Sequence, residues 1–157
     1  MSEVIIKAYP PLRLAGLRHV GPYPSMGRTF EKLGPLSGLQ GLFGPDTKTV
    51  AVTYDDPKLV PEAALRTDCC ITLAARASIA EPLQEIIIGE GLRASWRHIG
   101  PYTELGSQWM AFIKALTAMA PDERPAPSQK PCFEIYHNDP RTTPPAELVT
   151  ELFVPLD

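Results

Sequence analysis

A seven-residue motif that occurs twice constrains the fold of this chain more than any other feature. Leu17–Tyr23 reads LRHVGPY and Trp96–Tyr102 reads WRHIGPY, so five of the seven positions are identical. Two weaker matches follow in the same order: Tyr54–Pro57 with Tyr136–Pro140, and Leu65–Asp68 with Leu148–Glu151. We therefore expect one domain over residues 1–157, built from repeat one at about 3–77 and repeat two at about 82–157.

The spacing between the copies indicates an insertion. His19 and His98 are 79 residues apart, whereas the last pair of matching segments is offset by 83 residues. Copy two therefore carries about four extra residues, which we assign to the Pro-rich loop 121–131.

Each copy shows the pattern strand, helix, strand, strand. Strands are predicted over 4–9, 12–20, 48–54 and 66–73 in copy one, and over 84–90, 92–99, 132–136 and 148–154 in copy two. We expect the first two runs of each copy to form an extended hairpin or a bent strand, which Gly-Pro-Tyr ends because proline cannot extend a ladder. The predicted fold class is α+β, with two main helices on a largely antiparallel sheet. A central cleft on a pseudo-twofold axis is where a small molecule is expected to bind.

The helices follow the two Gly-Pro-Tyr motifs. In copy two, one helical face carries Leu105, Trp109, Phe112, Ile113 and Leu116. Thr103 is a suitable N-cap for this helix. Copy one has a weaker apolar stripe, which we expect to stop near Gly34 and Pro35.

The copies differ most in their third strand. When Tyr54 is aligned with Tyr136, Glu134 stands where copy one has Val52. Glutamate is depleted in strands, and a desolvated carboxylate is costly unless it is paired. Two interpretations are open from the pattern alone: Glu134 forms the floor of the cleft and attracts a cationic ligand, or it faces solvent.

Aromatic residues are also distributed unequally. Trp96 replaces Leu17, and Trp109 lies on the second helix. Around one carboxylate, such side chains could hold flat or cationic molecules by stacking and cation–π contact. Packing in the core is an equal alternative for Trp109. Tyr23 and Tyr102 belong to the repeated motif, which favours a role in the fold.

The remaining reactive side chains indicate little chemistry. His19 and His98 have no nearby serine or cysteine arranged as a nucleophile, so a structural role at the strand end is favoured for both. The three histidines and three cysteines lack metal-ligand spacing, and no phosphate-binding glycine motif occurs. We therefore expect neither a metal nor a cofactor.

Composition limits the partners and the compartment. A net charge of -3 and a pI near 5.6 argue against direct nucleic-acid binding, but not against a protein partner. An odd number of cysteines, two of them adjacent, favours reduced thiols. Without an apolar span or a signal-peptide pattern, the expected location is the cytoplasm, away from the membrane.

Three segments together resemble the GyrI-like small-molecule-binding superfamily. They are His98–Tyr102, Lys130–Tyr136 with Asn138–Pro140, and Glu151–Pro155. The resemblance covers nearly the whole chain, and the middle run is its most specific part. The superfamily includes the DNA gyrase inhibitor protein and the effector-binding domains of AraC-type and MerR-type regulators. Only three residues precede Val4, so we expect no helix-turn-helix ahead of the domain.

The resemblance implies a duplicated fold in which Glu134 is the acidic residue that meets cationic or amphipathic ligands. The candidate ligand-binding residues are Glu134, Tyr136, Trp96, Trp109, Tyr102, Tyr54, Val52 and His98. The leading hypothesis is a stand-alone protein that binds small hydrophobic, cationic compounds and sequesters drugs or toxins. One alternative is a hydrolase of strained cyclopropane-type toxins with Glu134 as the catalytic residue. The other, based on the resemblance alone, is an inhibitor of DNA gyrase that acts by protein–protein contact.

Overall fold

The computed structural model describes residues 2–157, which divide into two compact units. The first unit is Pro11–Gly89, and the second comprises residues 2–10 with Glu90–Asp157. The strands and helices are β1 (Ile5–Tyr9), β2 (Leu12–Val20), α1 (Gly27–Leu39), β3 (Thr49–Thr53), β4 (Arg66–Thr72), β5 (Gln84–Ile88), β6 (Gly91–Ile99), α2 (Leu105–Ala118), β7 (Cys132–Tyr136) and β8 (Val149–Pro155). Neither α-helix within residues 2–157 combines the length and the hydropathy needed to cross a bilayer.

The secondary structure confirms the predicted α+β class. Each predicted strand is present with ends that agree to within two residues, and a helix follows each Gly-Pro-Tyr motif. The connection from α2 to β7 covers 119–131, and the corresponding connection from α1 to β3 covers 40–48. The four-residue difference therefore falls in the Pro-rich loop. The duplication itself and the cleft between the copies stay predictions.

The predicted hairpins are wrong. In the first unit the strand order is β3-β4-β2-β5, and in the second unit it is β1-β6-β8-β7, with antiparallel pairing throughout. Strand β1 therefore pairs with β6, and β5 pairs with β2. Pro10 and Pro11 separate β1 from β2, and a proline pair lacks both the N–H groups and the positive φ of a tight hairpin turn.

Both predicted helix boundaries need correction. Helix α1 continues through Pro35 and ends only at Leu39, followed by Gly41 at φ 67°. Burial of Leu33 on its inner face offsets part of the cost of the backbone hydrogen bond that a proline removes. Thr103 is not an N-cap, because a 3₁₀ turn over Tyr102–Glu104 precedes α2.

Each helix covers one face of the strands in its own unit. The core of the first unit contains Ala15, Leu33, Leu42, Ile71 and Leu83. The core of the second unit contains Ala94, Trp96, Phe112, Leu116, Leu152, Val154 and Leu156. Residues alternate between the two faces of a strand, so these sets identify which side chains of each strand point toward the helix.

Strand registers correct the alignment of the two copies. The Arg66 N–H donates to Asp55 Oδ2 at 2.8 Å, and the Val149 N–H donates to Asn138 Oδ1 at 3.0 Å. Asp55 therefore corresponds to Asn138, which makes His137 the counterpart of Tyr54.

The shift by one residue changes the partner of Glu134. Ala51 pairs with Cys69 in the first unit, as Glu134 pairs with Leu152 in the second. The predicted equivalence of Val52 and Glu134 is therefore wrong, because Ala51 occupies that position. The Tyr-Asp-Asp-Pro segment is one residue shorter than the Tyr-His-Asn-Asp-Pro segment. Aligning their tyrosines therefore shifted the predicted equivalence by one residue.

Candidate functional site

Glu134 lies in the middle of β7 and points toward α2. Its side chain is 8% exposed. The indole Nε1 of Trp109, on α2, donates to Glu134 Oε1 at 2.6 Å. The hydroxyl of Tyr136, two residues along the same face of β7, donates to Oε2. Both carboxylate oxygens therefore accept a hydrogen bond from an aromatic side chain.

The charge of Glu134 has no counterion in its unit. Of the ion pairs formed among residues 2–157, none includes this carboxylate. Burial raises the pKa of Glu134, and the hydrogen bonds from Tyr136 and Trp109 oppose that rise. When Glu134 is ionised, its carboxylate is hydrogen-bonded but has no counterion, and a cation beside it would recover part of the desolvation cost.

Two tryptophans pack on either side of Phe112. The Trp96 ring stacks on Phe112 at a centroid distance of 5.7 Å, and the Trp109 ring lies 5.8 Å from it. Trp96 is 9% exposed, and its Nε1 donates to Gln108 Oε1 at 2.9 Å. Trp96 is therefore a core residue, whereas Trp109 combines core packing with a direct contact to Glu134.

Tyr102 extends the aromatic surface. It belongs to the 3₁₀ turn before α2, and its ring lies 5.4 Å from the ring of Tyr136. Burial raises the pKa of Tyr102, with smaller contributions from Asp139 and Glu134, so the phenol stays neutral. The structure thus brings four predicted site residues together: Glu134, Tyr136, Trp109 and Tyr102.

A polar row continues from Tyr136 across the sheet. Tyr136 pairs with Thr150 on β8, and Thr150 pairs with His98 on β6. The Nε2 atom of His98 lies 3.4 Å from Oε2 of Glu104. Sequence reasoning found His98 but missed Thr150 and Glu104. The register of β8 against β6, which follows once the strands are paired, is the signal that identifies Thr150.

Two predicted site residues belong to the first unit and make their contacts there. Val52 is 1% exposed and pairs with Asp68. The Tyr54 hydroxyl donates to Asp68 Oδ2 at 2.5 Å, and the Arg18 guanidinium lies 4.9 Å from the centre of the Tyr54 ring.

His19 does have a serine beside it, which sequence reasoning missed. Ser25 Oγ is 3.0 Å from His19 Nε2, and Thr29 Oγ1 is 3.0 Å from Nδ1. The Ser25 hydroxyl, however, donates to the Pro22 carbonyl at 2.6 Å. This proton is therefore used within the turn, and the arrangement stabilises the start of α1.

Metal and thiol chemistry find little support in the described part of the chain. No group of three histidine, cysteine or acidic residues within 2–157 could hold a metal ion. Cys69 and Cys70 are buried thiols, and burial raises the pKa of Cys132 to about 11, so its thiol stays protonated.

A family model matches almost the whole chain. The family is described as the GyrI-like small molecule binding domain, and its model matches residues 2–157. A DNA gyrase inhibitor of Edwardsiella piscicida is 32% identical over 160 residues, which cover 98% of this chain and 97% of that protein.

Two solved structures show the same fold. A chain of the EcmrR–DNA complex matches with a TM-score of 0.81 at 16% identity. That match covers 99% of this chain but 57% of the other, so this chain spans a little over half of that relative. SAV2435 bound to tetraphenylphosphonium matches with a TM-score of 0.68 at 15% identity, covering 99% and 94% of the two chains.

Proposed function

The chain belongs to the GyrI-like small molecule binding domain family, and from this premise we propose that it binds and sequesters small hydrophobic cations. Glu134 is the acidic contact in this proposal, with Trp109, Tyr136 and Tyr102 as the aromatic wall. The observation that carries it is the buried carboxylate of Glu134, which accepts hydrogen bonds from two aromatic donors and forms no ion pair within residues 2–157.

The chemistry of these groups suits a cation with apolar substituents. A cation recovers the Coulomb energy that the desolvated carboxylate lacks, and aromatic faces attract positive charge through their quadrupoles. The two donors hold both oxygens of Glu134, so the carboxylate needs little reorganisation when a ligand arrives. SAV2435, which shares the fold, is the relative found with a hydrophobic cation, and it lends this proposal further support.

Removal of the charge tests the proposal directly. We expect Glu134→Gln to weaken binding of tetraphenylphosphonium about tenfold, which equals about 1.4 kcal/mol. Binding of neutral triphenylphosphine oxide should change less than about twofold by the same arithmetic. Calorimetric titration measures both. Glu151→Gln is the matched control, because that carboxylate lies on β8 and faces the other side of the sheet. An equal loss for the cation and the neutral compound would remove Glu134 from the site.

The raised pKa of Glu134 gives cation binding a defined pH dependence. Burial favours the protonated carboxyl, which does not attract a cation, so affinity should fall as the pH decreases through a pKa above 4.5. Bound cation favours the ionised form and lowers that pKa, so binding releases a proton. The Glu134→Gln variant should lose this pH dependence, and a wild-type affinity that stays constant from pH 4 to pH 8 would contradict the proposal.

Inhibition of DNA gyrase is the second candidate function. It is favoured by the similarity to the gyrase inhibitor of Edwardsiella piscicida over nearly the full length of both proteins. A supercoiling assay with purified gyrase tests it. Inhibition that persists in Glu134→Gln would indicate a protein–protein surface separate from the carboxylate, and absence of inhibition at micromolar concentrations would reject this candidate.

Hydrolysis at Glu134 is tested by the same variant. A carboxyl with a raised pKa in a buried site could act as a general base for water or as a nucleophile toward a strained electrophile. Turnover of a cyclopropane-containing compound that disappears in Glu134→Gln would establish catalysis. Stoichiometric binding without product formation leaves the sequestration proposal in place.

A further inference from the structure

Two buried polar atoms in the second unit lie side by side without a hydrogen bond. Within residues 2–157, the buried side-chain atoms that lack a hydrogen-bond partner are Ser37 Oγ, Thr67 Oγ1, His98 Nε2 and Thr150 Oγ1. Thr150 is 0% exposed and His98 is 5% exposed. Because they are paired residues of β6 and β8, their side chains are neighbours on the face that α2 covers.

This pair is adjacent to the Glu134 group. Tyr136, whose hydroxyl bonds Glu134, is the β7 partner of Thr150. Glu134 is therefore a diagonal neighbour of Thr150, and such positions are roughly 7–8 Å apart in an antiparallel sheet. The carboxylate, the phenol, the hydroxyl and the imidazole thus form one continuous polar surface over three strands.

We propose that Thr150 Oγ1 and His98 Nε2 form a hydrogen-bonding subsite beside Glu134, which takes a hydroxyl or similar polar group of a cationic ligand. The subsite rests on the proposed function, since it selects among the cations that Glu134 attracts. A hydroxyl both donates and accepts, and so does the side chain of Thr150, while His98 Nε2 can do either according to its tautomer. The hydroxyl of Thr150 is buried without a hydrogen bond, and Nε2 of His98 has only the Glu104 carboxylate, 3.4 Å away. A ligand group that hydrogen-bonds to both atoms recovers the cost of leaving them unsatisfied.

The corresponding histidine of the first unit has different hydrogen-bond partners. Thr67 occupies the position that corresponds to Thr150, and it pairs with His19. Both ring nitrogens of His19 are within 3.0 Å of a hydroxyl, from Thr29 and Ser25. At this position the first unit therefore has only the hydroxyl of Thr67 without a hydrogen bond, whereas the second has the hydroxyl of Thr150 and Nε2 of the paired His98, next to an acid.

Access to the subsite depends on the 3₁₀ turn Tyr102–Glu104. Tyr102 packs on Tyr136 at one end of the polar row, and Glu104 approaches His98 at the other. Because Thr150 is 0% exposed and this turn contacts both of its strand neighbours, the turn must shift to admit a ligand group. No side chain caps the N-terminus of this turn, among the residues that the structure describes.

The test compares two cations that differ by one group. (3-Hydroxypropyl)triphenylphosphonium and butyltriphenylphosphonium have the same charge and nearly the same shape, and the first carries a hydroxyl where the second has a methyl. We expect wild-type protein to prefer the hydroxylated cation about fivefold, a difference of about 1 kcal/mol. Thr150→Val, which keeps the shape and removes the hydroxyl, should abolish this preference.

Thr67→Val is the matched control. It removes the other buried, unpaired threonine hydroxyl and should leave the preference intact. Both variants should fold and melt about 3 °C above wild type, because each loses an unpaired polar atom. If both cations bind wild type equally, the subsite is rejected while the proposed function stands. If neither cation binds, the proposed function fails and the subsite fails with it.

Discussion

The helix-covered faces of the two units share a strand register but differ at the position of Glu134, the acidic contact of the proposed site. Glu134 in the second unit corresponds to Ala51 in the first. The helical residue that donates to Glu134 is Trp109, and the residue 79 positions earlier in the chain is Phe30. The unit that lacks the acid therefore also lacks the indole N–H.

This difference shows that a buried carboxylate and its donors belong together. Phe30 packs against the apolar core of its unit. Ala51 has no polar side-chain atom, so it requires no hydrogen-bond donor from the helix. Trp109 packs on Phe112 and also supplies a hydrogen bond, which an acid at 8% exposure requires. A comparable backbone thus supports an apolar face in one unit and an acidic one in the other.

Moving the acid into the first unit should have the largest effect. Ala51→Glu places a carboxylate at a position that is 0% exposed, where Phe30 offers no N–H. We expect a loss of about 3–5 kcal/mol in the free energy of unfolding at neutral pH. Urea denaturation followed by circular dichroism measures it.

Two further variants separate charge from size in this experiment. Ala51→Gln introduces the same bulk without the charge and should cost less than Ala51→Glu. Adding Phe30→Trp to Ala51→Glu should recover about 1 kcal/mol, because the indole can then donate to the new carboxylate. If Ala51→Glu and Ala51→Gln are equally destabilised, steric crowding alone explains the difference between the units.

The sequence predicted more of the fold than of the site. Periodicity and the repeated motif identified every strand and both helices, because those signals are local. The pairing of β1 with β6 was missed, since strand partners depend on contacts far apart in sequence. Glu134 was identified as unusual in a strand, but its alignment with Val52 was off by one residue, and one residue changes the face of a strand. Thr150 was missed because its significance appears only once its strand neighbours are known.

A second comparison concerns how closely the strands approach each other. A Cβ atom on Gly16 would lie 2.6 Å from the Cys70 sulfur and 2.8 Å from the Cys69 carbonyl oxygen. We expect Gly16→Ala to lower the free energy of unfolding by about 1–3 kcal/mol, because a backbone atom must move.

Ser95 stands 79 residues after Gly16 and already carries a side chain, whose Oγ donates to the Ile5 carbonyl at 3.5 Å. Ser95→Ala should change stability by less than about 0.5 kcal/mol in the same urea titration. Equal effects would show that close packing at this position is shared by both units.

The smallest expected difference lies on the sheet faces that the helices leave uncovered. Tyr54 donates to Asp68 in the first unit, and His137 contacts Glu151 at 2.6 Å in the second. The hydrogen bond from His137 is the main cause of the lowered pKa of Glu151. A carboxyl whose pKa is lowered by folding stabilises the protein above its unfolded pKa, and that contribution disappears as the pH falls through the lowered value.

Glu151→Gln should therefore cost about 0.5 kcal/mol at neutral pH, and this cost should disappear as the pH falls through the lowered pKa of Glu151, as expected for a partly exposed pair. Added salt should reduce this cost, because the pair is accessible to screening ions. Tyr54→Phe removes a hydrogen bond that a neutral phenol donates, and we expect it to lower the free energy of unfolding by about 1 kcal/mol. This loss should depend less on salt than the loss caused by Glu151→Gln. Urea titrations at low and high salt distinguish the two. A salt dependence of the same size in both variants would mean that the two faces are stabilised alike, although one pairs its acid with a phenol and the other with an imidazole.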